Sequence, residues 1–174
     1  MQPVARATTS DVIARLREGR DLTAGSAPWT LQFISLADAQ FGAAWAEVEL
    51  TGDEALAIVL PPHAGEPCRG DRLSLVADHG ASVASAATTL RAMAEDYARL
   101  NPSCWRRIQD ASTAPFSTLV LTTAPLDVDE FHLVERAPNA YYRLDGFHRL
   151  VGWAWVGRLT GETRLRAHVA GTRI

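Results

Sequence analysis

Lysine is absent from this chain: all 17 basic residues are arginine. The absence rules out a P-loop lysine, a Schiff-base lysine and a lysine general base. High-GC coding produces the same bias, so the missing lysines are not themselves a functional signal. Long apolar runs are also lacking, and none approaches the length of a membrane span. The opening residues MQPVARATTS have no apolar core of a signal peptide, so the chain is expected in the cytoplasm. Cysteine is scarce. Cys68 and Cys104 have no CxxC spacing, which argues against a zinc site, and in a reducing compartment both are expected as thiols. Positive charge is not in excess either. The net charge is −3 and the arginines are dispersed, which disfavours nucleic acid as a partner and a DNA-associated nuclease as a function.

What is present suits an ordinary globular protein of 174 residues, 47% apolar and 21% charged, with room for one domain. Thr9 or Ser10 can cap a helix over 11–18 that stops at Gly19. WTLQFIS (29–35) has the aromatic and β-branched content of a strand. Ser35 with Asp38 resembles a cap, opening a helix that runs to about Leu50 and ends at Thr51-Gly52-Asp53. ALAIVL (55–60) is a short buried strand, 61–71 a proline-rich loop, and RLSLVAD (72–78) a further strand. The most regular pattern is the apolar stripe of Val83, Ala87, Leu90, Met93, Ala94, Tyr97 and Leu100, a helix over 82–100. Asn101-Pro102 breaks it, and a short helix follows through Gln109. FSTLVLTT (116–123) is a strand, and EFHLVER (130–136) turns at Pro138-Asn139 into YYRL (141–144) as a hairpin. A helix from Phe147 to about Leu159 and a strand over 164–171 complete the chain. The fold class is α+β, a small mixed sheet with flanking helices.

The stretch LDGFHR (144–149) holds more chemistry than a connection needs. Phe147, Leu150, Val151 and Ala154 fall at i, i+3, i+4 and i+7 and should face the core. That leaves His148 and Arg149 off the stripe in the first helical turn, where a cation opposes the macrodipole by about 0.3–1 kcal/mol. An anion held by the first-turn N–H groups and Arg149 would remove the conflict. Gly146 permits a sharp bend and close approach of a ligand. Asp145 can cap the helix, hold Mg²⁺ beside a phosphate, or both. Gly152 and Trp153, one turn on, would present a bare patch and an aromatic face to a flat ligand. The plain alternative is a cap, a turn, and a surface arginine paired to a carboxylate.

With TRLRAHVAG behind it, YYRLDGFHRLVGWA resembles the strand, Asp-Gly-x-His-Arg, helix, strand segment of the ParB/sulfiredoxin-like superfamily. The resemblance spans about residues 82–174 and leaves 1–80 as an α/β extension of unassigned role, within a single domain. It implies a phosphate-binding corner. His148 and Arg149 would touch phosphate, and Asp145 would be the acidic or Mg²⁺-linked group; the spacing above adds Gly146 and Trp153 to the expected cofactor-binding residues. Sulfiredoxins carry cysteine where this chain has Phe147, so sulfinic acid reduction by that route is not expected. Partition proteins continue into a DNA-binding helical domain, whereas this chain ends about fifteen residues after the motif helix.

Outside this corner, strand alternation would set Glu135 among apolar neighbours, either as a general base or as a cross-strand partner of Arg143. His132 reads as a surface residue. Arg106 and Arg107 can reach a phosphate or simply face solvent, and Trp29, Trp45 and Trp105 read as core anchors. The expected function is a nucleotide- or phosphate-binding enzyme using ATP or a related nucleotide with Mg²⁺. It would transfer a phosphoryl group to a small polar metabolite, with Asp145, His148 and Glu135 as the candidate catalytic groups. The alternative is a non-catalytic binding or regulatory module of a biosynthetic pathway.

Overall fold

The computed structural model describes residues 2–19, 27–62, 73–76 and 79–171. Among these residues seven strands form one mixed sheet: β1 (Gln2–Ala7), β2 (Trp45–Thr51), β3 (Val59–Leu60), β4 (Ala81–Ser82), β5 (Leu119–Thr122), β6 (Tyr142–Asp145) and β7 (Arg164–Ala170), in the order β1-β2-β7-β5-β6-β3-β4. The α+β class follows directly. The first half of the chain is built into this sheet, because β2 pairs antiparallel with β7 from Trp45–Ala170 to Thr51–Arg164.

Helices cover both faces. On one lie α1 (Thr9–Gly19) and α2 (Ala27–Phe41), which bury Val12, Leu16, Phe33, Ile34 and Ala37 against Val120, Tyr142 and Leu144. On the other lie α3 (Gly52–Leu56), α4 (Val83–Ala92), α5 (Ala94–Leu100), α6 (Pro102–Thr113) and α7 (Phe147–Trp155). Their apolar residues meet Val48, Leu50, Leu119, Leu121, Leu165, Ala167 and Val169. Alternation along β5 and β7 divides consecutive residues between the two cores.

Several elements differ from the sequence expectation. Residues 29–35 are helical, because α2 begins at Ala27, and Ser35 caps nothing: its hydroxyl donates back to the Leu31 carbonyl. The helix stops at Gly42 and Ala43, both in the left-handed region, and Trp45 to Leu50 is strand. Two left-handed residues in succession end a helix, so the helix expected through Leu50 could not continue past them. Thr51 does not end a helix but starts α3, through a reciprocal capping box with Glu54. Only Val59–Leu60 of the expected 55–60 strand is strand. Residues 73–76 are not strand, and the remainder of 72–78 and most of the proline-rich loop lie outside the described residues. Gln2–Ala7 is a strand that the sequence reading did not assign. The helix over 82–100 is two helices meeting at Met93.

The 130–144 hairpin does not form. Asp129–Phe131 is a 3-10 turn, and β6 pairs instead with β5 and β3. Phe131 and Val134 are buried against the α2 face, so their apolar character reflects packing of an irregular segment rather than a strand. Helix α7 stops at Trp155, short of Leu159. Gly157, at φ +75°, closes it with bonds from its own N–H to the Ala154 carbonyl and from the Arg158 N–H to the Trp153 carbonyl. Cys104 is disulfide-bonded rather than a thiol, while Cys68 lies outside the described residues. The spacing of two cysteines 36 positions apart carries no information on their proximity in space. Among the described residues no helix is long and apolar enough to cross a membrane.

Candidate functional site

A cavity of about 640 Å³ opens where β6 ends and β5 and β7 begin, between the α1–α2 layer and the α6–α7 layer. Gly146 to Arg149 line it, so the corner singled out in the sequence sits on its wall. Gly146 has φ +101°, a conformation that side chains disfavour, and its carbonyl accepts the first helical bond, from Leu150 N–H at 2.9 Å. A Cβ there would also lie 2.9 Å from Leu119 Cδ2 and 3.1 Å from Arg149 Nη2. The backbone favours glycine here, and Leu119 and Arg149 would have to shift to admit a side chain.

Arg149 is held by the protein itself. Its Nη2 donates to Asp145 Oδ2 at 2.5 Å, and its Nη1 to Ser117 Oγ and to the Thr118 carbonyl, the latter at 3.1 Å. The other Asp145 oxygen accepts from Thr30 Oγ1 of α2 at 3.3 Å. Asp145 is nearly buried, whereas a quarter of the Arg149 side chain is exposed. This is the plain alternative for the corner, an arginine paired to a carboxylate. The hollow beside it nevertheless remains open. As for a resident magnesium ion, the donor set does not fit: both Asp145 oxygens are engaged, and among the described residues no cluster of three His, Cys, Asp or Glu side chains could hold a metal.

His148 lines the cavity and places Nε2 3.3 Å from the Cys104 sulfur. Trp153 is not at the site. It is fully buried, edge-on to Phe116 at 5.0 Å between ring centroids, so the expected aromatic face belongs to the core. Gly152 likewise serves packing. A Cβ on it would come within 2.6 Å of the Ile108 carbonyl oxygen, which is how closely α6 and α7 approach. Glu135 stands exposed in the irregular segment, away from the cavity and from the strand that would have aimed it. His132 is exposed, as expected.

The sequence reading missed most of the lining, since it comes from distant segments. Among the described residues six arginines line the cavity, Arg15, Arg107, Arg143, Arg149, Arg164 and Arg166, against two carboxylates, Glu18 and Asp145. Arg15 pairs with Glu18, Arg164 with Glu49 at 3.7 Å and Arg166 with Glu47 at 3.1 Å. With Glu47 and Glu49 reaching in from outside the lining, and Asp145 on Arg149, four of the six have a carboxylate partner among the described residues. Arg107 carries no ion pair or hydrogen bond among the described residues. Arg143 is buried, with its guanidinium carbon 5.7 Å from the centre of the Phe147 ring. Trp29 also lines the cavity and is 40% exposed, so it is no core anchor. The signal available in sequence was Arg107 and the alternation Arg164, Arg166; nothing local showed that they converge.

Fold and cavity together define an α+β protein with a cationic pocket at one end of a mixed sheet. Within that class, the chain belongs to the family described as "Family of unknown function (DUF6309)", whose profile matches residues 6–174. No curated protein and no solved structure matches it.

Proposed function

We propose that the end-of-sheet cavity binds a small phosphorylated metabolite. The observation that carries this is Arg107, a cavity-lining arginine with no ion pair or hydrogen bond among the described residues, set in a lining that holds five further arginines in a chain whose net charge is −3. Concentrating guanidinium groups around one hollow is unfavourable unless counter-charge arrives, and guanidinium matches phosphate geometry. The volume is within the usual range for small-molecule sites, about 300–1,000 Å³. The resemblance of the Asp-Gly-x-His-Arg corner to ParB/sulfiredoxin-like proteins points to the same ligand class, nucleotides included. Arg107 would meet the anion directly. Arg149, preset by Asp145, Ser117 and Thr118, would turn part of its exposed edge to it.

Phosphoryl transfer is the second reading. It is favoured by His148, which lines the cavity near Arg149 and is a group able to move a proton. Because Asp145 is tied to Arg149, binding without turnover, as in a regulatory module, is the simpler proposal. The cytoplasm is the proposed location; a disulfide at Cys104 would be unusual there.

Calorimetric titration with inorganic phosphate, pyrophosphate and ATP, with and without Mg²⁺, tests the site. Binding should weaken in Arg107→Ala and with rising salt. No heat from any of them, or heat indifferent to Arg107, would remove the reading. ³¹P NMR with a pool of amino acids and sugars then separates transfer from binding.

A further inference from the structure

Anion binding alone leaves the aromatic side of the cavity unexplained. Five large apolar side chains are exposed among the described residues, and only two of them are aromatic, Trp29 and Phe116. Both line this cavity, although they come from opposite layers, Trp29 from the first turn of α2 and Phe116 from the lead into β5. Single exposed apolar residues need no explanation. Two exposed aromatic residues lining one concave, charged hollow do, because apolar surface is left wetted there at a cost of roughly 25 cal/mol per Å².

Phe116 is also fixed in place. Arg158 lies over its ring at 4.4 Å, and the buried Trp153 meets it edge-on at an interplanar angle of 86°. Arg158 is itself anchored by bonds to the Ser112 and Ala114 carbonyls at 2.8 and 2.7 Å, which end α6. One face of Phe116 is therefore covered by a held cation, and the residue as a whole is 37% exposed. An aromatic ring immobilised before any ligand arrives loses little freedom on binding.

Resting on the phosphate reading above, we infer that the ligand carries a planar ring as well as its phosphate. The ring lodges against Trp29 and Phe116, and the anion is held on the arginine side by Arg107 and Arg149. A nucleotide base and a phosphorylated aromatic or heteroaromatic metabolite share this chemistry, whereas a sugar phosphate lacks it. Stacking on an aromatic side chain is commonly worth about 1–3 kcal/mol by alanine substitution, about 5- to 150-fold in affinity.

The test compares phenyl phosphate, AMP, ribose 5-phosphate and inorganic phosphate by calorimetry on the full chain, then on Trp29→Ala and Phe116→Leu. The expected result is at least about fivefold tighter binding of phenyl phosphate or AMP than of the two ringless phosphates. Trp29→Ala should abolish that advantage while leaving inorganic phosphate unchanged. Tighter binding of AMP alone would assign the pocket to nucleotides; tighter binding of both would assign it to aromatic phosphates in general. Equal binding of all four, with Arg107→Ala weakening each, would overturn the ring and keep the phosphate site. Failure of all four would overturn both. Phe116→Leu retains apolar volume, so its melting temperature checks that loss of ring binding is not loss of fold.

Discussion

Replacing Asp145 with asparagine separates the two roles that the corner could give this carboxylate. In the structure it restrains Arg149 at 2.5 Å and accepts from Thr30 at 3.3 Å. Removing one partner of a fully buried ion pair costs about 3–5 kcal/mol. Here the cost is smaller, because Arg149 is a quarter exposed and keeps Ser117 and the Thr118 carbonyl, and the asparagine oxygen can still accept one bond. About 2 kcal/mol is expected, lowering the melting temperature by roughly 4–8 °C for a domain of this size. Affinity for phosphate should move the other way. The substitution deletes a negative charge beside the proposed anion and leaves the guanidinium without its internal counter-charge. A unit charge roughly 6–15 Å away is worth on the order of 1–3 kcal/mol at an effective dielectric near 20. Screening by salt brings this to the lower end, so phosphate should bind about 5- to 10-fold more tightly. Urea unfolding followed by tryptophan fluorescence measures the first effect and calorimetry the second. A variant that is less stable and also binds phosphate more weakly would refute the reasoning, since the carboxylate would then be serving the ligand rather than competing with it.

Three other outcomes are expected. Gly152→Ala should destabilise by about 1–2 kcal/mol despite its gain in helix propensity, because the new Cβ meets the backbone of Ile108 and Ser112 rather than a movable side chain; thermal melting checks this. Gly146→Ala should cost about 1–3 kcal/mol in urea unfolding through its left-handed backbone and the Leu119 contact, and should weaken phosphate binding with it. His168 is buried on β7 facing α1, and burial holds its imidazole below the usual 6.5; Arg15 adds to this, while Glu47 and Asp11 oppose it. The unfolded chain takes up the proton first as pH falls below about 6.5. The stability from neutral His168 is therefore complete above that pH and is lost as pH falls toward the folded value. Melting temperature should decline over that window in the wild type and be flatter in His168→Gln.

Local chemistry was legible wherever the deciding interactions lie within a few residues. The α7 core stripe of Phe147, Leu150, Val151 and Ala154, the bend at Gly146 and the strand over 164–170 all express period and backbone preference, and all are present. So is the mixed α+β class. The failures also have local causes. The two left-handed residues after Phe41 changed a helix into a strand, Gly157 shortened α7, and burial under α2 made an irregular segment around Phe131 and Val134 look like a hairpin.

The candidate site divides along the same line. The sequence alone determined that Asp145, Gly146, His148 and Arg149 share one strand-to-helix corner, because four or five consecutive bonds dictate it. Only the tertiary structure decided that Asp145 would answer Arg149, that Trp153 would turn inward, and that Arg15, Arg107, Arg143, Arg164, Arg166, Trp29 and Phe116 would surround the same hollow. Those residues are separated by up to about 150 positions. What brings them together is the strand order of the sheet and the burial of its two faces, and no spacing along the chain encodes that.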